Sequence, residues 1–68
     1  MPSTAIRHVD YEAARRVLTV TFVTGRRYGY AEVPREVFEA FVTAPSKGTF
    51  FNAAIRDAYG YEELERLR

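Results

Sequence analysis

The run Val17-Leu18-Thr19-Val20-Thr21-Phe22-Val23 limits the possible folds more than any other stretch of this chain. Leu18, Val20 and Phe22 fall on one face and Thr19 and Thr21 on the other, the period-two pattern of a strand with one face buried. A single strand cannot bury that face, so the rest of the chain must cover it. Two flanking segments are β-prone. Ile6-Arg7-His8-Val9-Asp10-Tyr11 precedes the run, separated by Ala13-Ala14-Arg15-Arg16, a suitable four-residue hairpin connection. Residues 27–33 follow it, after Gly25, and contain Tyr28-Gly29-Tyr30. The order reads as an antiparallel meander of three strands.

Pro34 then opens a helix, and Val37, Phe38, Phe41 and Val42 form an apolar stripe along it. Ala44 precedes Pro45 and is pushed out of the helical region, so that helix stops there. Ser46 is a good N-cap for a second helix running to about residue 59, with Phe51, Ile55 and Tyr59 on one side. Gly60 suits a left-handed cap. Beyond it, Tyr61, Leu64 and Leu67 stand at helical spacing, as in a short docked helix or a frayed tail. The expected fold class is α+β: a three-stranded antiparallel meander followed by two helices packed on one face (βββαα), with a short C-terminal tail or helix. Its two open edges invite pairing, which makes a homodimer a reasonable expectation.

Sixty-eight residues make one domain, with its core at about 3–59 and an acidic tail at 60–68. A chain of this size buries only about 60% of the surface it exposes when unfolded. There is no room for a full dinucleotide-binding unit or an enclosed drug-sized pocket. At 47% hydrophobic, with five Tyr and five Phe, the chain is too apolar for disorder. No apolar run approaches the roughly 20 residues a bilayer requires, and no signal segment opens the chain, so no membrane partner is expected. Zero Cys and one His leave no disulfide framework, no thiolate site and no ordinary zinc site. No cofactor is expected. These features fit a cytoplasmic protein of bacterial type.

The net charge is +1, divided unevenly: +3 over residues 1–56 and −2 over 57–68. A mildly basic body hints weakly at an anionic partner. For catalysis the chain offers little. His8 is the single imidazole and would need Ser3 or Ser46 beside it, while Glu36 and Glu39 read as a solvated helix face. The expectation is therefore no enzyme. Three features suit anion or base binding instead. Ser46-Lys47-Gly48 places a hydroxyl, an ammonium and a glycine at a helix N-terminus, where free N–H groups attract phosphate. The plain alternative is a cap, a solvated lysine and a packing glycine. Arg26, Arg27, Tyr28 and Tyr30 interleave charge with rings, as on platforms that stack single-stranded bases. Which face the tyrosines take depends on the turn. A three-residue loop Val23-Thr24-Gly25 sets Tyr28 against Val20 under the helices, whereas a two-residue loop turns both rings to the open face; Gly25 suits the former. Asn52 and Arg56 share one side of the second helix and either extend the anion site or face solvent.

Taken together, these residues resemble a known family. Ser3-Thr4-x-Ile6, Tyr11, Leu18-x-Val20-x-Phe22, Gly25, Tyr28-x-Tyr30, Val33-Pro34, Phe38, Ala44-x-Ser46-Lys47-Gly48, Phe51-Asn52, Ile55-Arg56 and Tyr59 follow the order of the KTSC domain. That module occurs at the C-terminus of some lysyl-tRNA synthetases and as a stand-alone bacterial protein. The resemblance implies no established activity and a suspected role in RNA binding. Carried onto this chain, it marks Tyr28, Tyr30, Ser46, Lys47, Gly48, Asn52 and Arg56. Thr4 stands where a second serine is common and Ala13 where a turn-forming proline is common. The leading expectation is a non-enzymatic module that binds RNA or another single-stranded nucleic acid. The alternative is a protein-interaction or self-association module.

Overall fold

The structure, a computed structural model, describes residues 5–64. Ser3 and Thr4 of the family pattern, and the tail from Glu65 to Arg68, lie outside the described residues. The alternating run forms the centre of a meander: β1 (Ile6–Glu12), β2 (Val17–Phe22) and β3 (Arg27–Tyr30) pair antiparallel in chain order. Leu18 and Val20 of β2 are fully buried. Residues 13–16 turn between β1 and β2, with Arg16 in the left-handed region at φ 57°.

The turn between β2 and β3 decides where the tyrosines go. The Phe22 N–H donates to the Arg26 carbonyl at 2.9 Å, and the Gly25 N–H donates to the Phe22 carbonyl at 2.9 Å. That closes the three-residue loop, with Gly25 at φ 93°, a conformation that costs a residue with a Cβ. The register then pairs Val20 with Tyr28 and Leu18 with Tyr30, so both rings lie on the face turned toward the helices. The expectation of burial holds for Tyr30, at 3% exposure, while Tyr28 is half-buried.

Helix α1 (Arg35–Thr43) begins one residue later than expected. Pro34, at ψ 152°, sits just ahead of the first turn. Ala44 is extended before Pro45, and the helix ends as the proline requires. Phe41 is fully buried, with Val37 and Phe38 packed around the core. Helix α2 (Lys47–Phe50) starts at Ser46, whose Oγ accepts the Thr49 N–H at 3.3 Å. It runs directly into a π-helical segment (Phe51–Ile55), closed by the Arg56 N–H donating to the Phe51 carbonyl at 2.9 Å. The wider π turn keeps Phe51 and Ile55 on the same inward line, at 3% and 0% exposure.

Three expectations are corrected at the C-terminal end. The second helix stops at Ile55 rather than near residue 59. Gly60 has no left-handed backbone; its carbonyl accepts the Ala31 N–H at 2.9 Å. The segment expected to be a docked helix or tail is instead a strand, β4 (Tyr61–Leu64), antiparallel to β3. The sheet therefore has four strands in the order β1-β2-β3-β4, not three. The helical spacing of Tyr61 and Leu64 gives way to the unpaired edge of β3, whose backbone groups need partners. Leu64 lies over Gly29, close enough that a Cβ there would come within 3.5 Å of it.

Leu18, Val20, Tyr30, Val33, Phe41, Phe51 and Ile55 make the core. Val33, fully buried, has both backbone groups satisfied. Its N–H donates to the Arg16 carbonyl at 3.0 Å, and its carbonyl accepts the Tyr11 hydroxyl at 2.6 Å. Tyr11 in turn stacks on Phe38 at 4.8 Å, which fastens the outer strand to α1.

Candidate functional site

Side chains alternate across a strand, so neighbours in sequence part company. Arg26, Tyr28 and Tyr30 share the helix side of the sheet, whereas Arg27 pairs with Thr21 and Leu64 on the opposite side. Strand β4 repeats the division: Tyr61 pairs with Tyr30 and Glu63 with Tyr28, while Glu62 pairs with Gly29 and turns away. On the helix side the end of the π segment faces β3 and β4 across an open groove of about 560 Å³.

The floor of that groove is aromatic. Phe22 meets Tyr28 and Phe51 edge-on at 5.6 and 5.5 Å, and Tyr30 meets Phe51 at 5.6 Å. Tyr61 completes it from β4, at 5.5 Å from both Tyr28 and Tyr30, and remains 61% exposed. Asn52, Arg56 and Asp57 line the helix wall, and Arg26 lines the sheet wall. Tyr28 and Tyr61 therefore offer partly exposed ring surface between two guanidinium groups, a surface suited to a flat ring carrying an anionic group.

Electrostatics sharpen this description. Burial pushes the Tyr30 phenol up to about 12, aided by the neighbouring Tyr61, Tyr28 and Asp57 and opposed by Arg56, so it stays a neutral hydroxyl. The Arg26 guanidinium stands beside the Tyr28 phenol and lies 3.7 Å from a Glu63 carboxylate oxygen. Tyr28 first and Glu63 second hold it more firmly in the charged form.

Of the residues singled out in the sequence, the groove gathers Arg26, Tyr28, Tyr30, Asn52 and Arg56. Arg27 is on the far face of the sheet. Ser46, Lys47 and Gly48 do not line the groove; Lys47 opens the helical stretch, whereas Arg56 stands just past its π-helical end. Ser46 is engaged as the cap, and Lys47 is exposed. His8 is exposed on β1 opposite Thr21, and Glu39 pairs with Arg35 at 3.3 Å. Among the described residues no group of three or more His, Asp or Glu side chains is placed to hold a metal. No helix of the described residues is long and apolar enough to cross a membrane.

Sequence reasoning missed Tyr61 and Asp57, and it treated Phe22 and Phe51 as core alone. No local signal marks Tyr61, because Tyr61-Glu62-Glu63-Leu64 lacks apolar–polar alternation and becomes a strand only against the open edge of β3.

Comparison with known proteins accords with this architecture. A sequence model of the KTSC domain matches residues 2–59. Lysine–tRNA ligases of Trichormus variabilis and Nostoc punctiforme are each 39% identical over 59 residues, covering 87% of this chain and 10% of the ligase. The chain thus spans about a tenth of the length of those relatives. A protein of Tsukamurella paurometabola is 37% identical over 57 residues, 84% of this chain and 85% of its own. The crystal structure of a KTSC domain protein from Yersinia pestis superposes with a TM-score of 0.86 at 27% identity, over 96% of this chain and 94% of that one.

Proposed function

The chain belongs to the KTSC domain family, and on that footing we propose that it is a small non-enzymatic module binding single-stranded nucleic acid, RNA above all, with little sequence preference. The observation that carries this reading is the groove between β3–β4 and the second helix. There Tyr28 and Tyr61 present ring surface between Arg26 and Arg56. Each stacked base contributes about 1–3 kcal/mol on such a platform, and any base can stack. Phosphates on either side of the base meet the guanidinium groups, with Asn52 on the same wall of the groove as Arg56. Lys47, outside the groove, serves as a further phosphate contact for a longer strand, while Arg27 lies on the opposite face and Ser46 caps the helix. Kinship with a segment of lysine–tRNA ligases, enzymes that handle an RNA by name, favours RNA over DNA.

Binding of this kind weakens steeply with salt, because it releases counterions. Fluorescence anisotropy of a labelled single-stranded RNA at low and moderate salt tests it. Affinity is expected to fall with salt and to drop about tenfold in Arg56→Glu, since reversing a phosphate-contacting charge costs on the order of 1.4 kcal/mol or more. No binding at low salt, or unchanged affinity in Arg56→Glu, contradicts the proposal.

A second reading, self-association, draws on the two open sheet edges at β1 and β4 and on Val23, 59% exposed. A salt-insensitive dimer in sedimentation, with no RNA affinity, would favour it.

A further inference from the structure

Strand β4 brings a carboxylate up to Arg26 at the edge of the groove, against the proposed ligand's own charge. Glu63 lies directly across from Tyr28, and its Oε2 is 3.7 Å from an Arg26 guanidinium nitrogen. The Tyr28 phenol stands beside the same guanidinium, on the strand position that faces Glu63. The two charged side chains are 49% and 46% exposed, so solvent and ligand reach the pair. A carboxylate and a phosphodiester present the same feature to a guanidinium fork, anionic oxygens that accept its N–H groups.

We infer that Arg26, beside Tyr28, is an anion-binding element at the groove's edge, and that Glu63 is its built-in occupant, displaced when a phosphate of the ligand arrives. The inference rests on the RNA reading for its ligand but not for its geometry. An exposed ion pair is worth little, so the exchange costs little. Arg26 trades one anion for another and Glu63 moves into water. Glu63 lies past residue 59, where the family match ends, so the occupant comes from outside the matched segment. Its neighbour Glu62 carries the same charge on the opposite face of the sheet, across from Gly29. Neutralising either residue changes the net charge equally, but only one releases Arg26.

The test compares Glu63→Gln with Glu62→Gln, using two probes. One is labelled single-stranded RNA; the other is inorganic tripolyphosphate, followed by the NMR resonance of the Arg26 Nε–H. Glu63→Gln is expected to tighten both probes by roughly two- to fivefold, the range an exposed ion pair spans. Glu62→Gln is expected to leave them nearly unchanged. Glu63→Thr, a neutral residue suited to a strand, gives the same ranking should Gln weaken β4. Equal effects of the two neutralisations, or none, overturn the inference even where RNA binds. If RNA binds to no variant while tripolyphosphate keeps the ranking, the anion element stands and the RNA reading falls.

Discussion

Tyr28 and Tyr61 meet edge to face with ring centroids 5.5 Å apart, joining the third strand to the fourth at the mouth of the groove. The contact serves two purposes at once. It anchors a four-residue edge strand, and it supplies part of the groove's aromatic surface, where the proposed ligand would stack.

Tyr61→Ala separates those purposes. Aromatic pairs contribute about 0.5–1.5 kcal/mol each beyond area burial, and Tyr61 is mostly exposed. The expected loss is about 1 kcal/mol in urea unfolding, with the domain still folded. RNA affinity should fall about tenfold, because a stacking ring is gone. An unchanged affinity would remove Tyr61 from the site.

Gly25 and Gly60 should respond in opposite ways to alanine. Gly25 sits at φ 93°, so Gly25→Ala is expected to cost about 1 kcal/mol or more and to loosen the β2–β3 turn. At Gly60 the backbone is ordinary and an added Cβ meets nothing within 4 Å. Gly60→Ala should be neutral or stabilise by up to about 1 kcal/mol through the unfolded chain. Thermal midpoints of the two variants check both.

The contrast between those glycines also shows what could be read from the sequence. The β2 alternation, the three-residue turn at Gly25, the Ala44-Pro45 stop and the Ser46 cap are local signals, each set by backbone sterics or a single hydrogen bond. They appear in the fold as read. Gly60 and β4 are different. Whether Tyr61–Leu64 becomes helix or strand depends on the vacant edge of β3, a partner remote in sequence. The groove was half legible for the same reason: Arg26, Tyr28, Asn52 and Arg56 stand out as residue types, but Tyr61 joins them only once β4 exists.

Tyr11→Phe should cost more than a surface hydroxyl usually does. The Tyr11 hydroxyl donates to the carbonyl of Val33, a fully buried residue, at 2.6 Å. Removing it leaves that carbonyl without this partner, at about 1–3 kcal/mol. The ring remains to stack on Phe38, so the fold should persist with a lower urea midpoint. A midpoint within error of the parent would contradict this role.

Stability should decline in strong alkali because of Tyr30. Its phenol ionises near 10 in the unfolded chain and at about 12 when folded. Between those values the unfolded state binds fewer protons, so rising pH favours unfolding. Urea midpoints measured from pH 9 to 12 should fall through this window, and Tyr30→Phe should lessen the fall. An equal decline in Tyr30→Phe would assign the effect elsewhere.

The central claim is that the groove between β3–β4 and the second helix receives a single-stranded RNA. NMR titration of the labelled protein with a short RNA at low salt tests it most directly. The account predicts progressive shifts at Arg26, Tyr28, Asn52, Arg56 and Tyr61. Shifts confined to Thr19, Arg27 and Glu62 on the other face of the sheet, or no shifts at all, would contradict it.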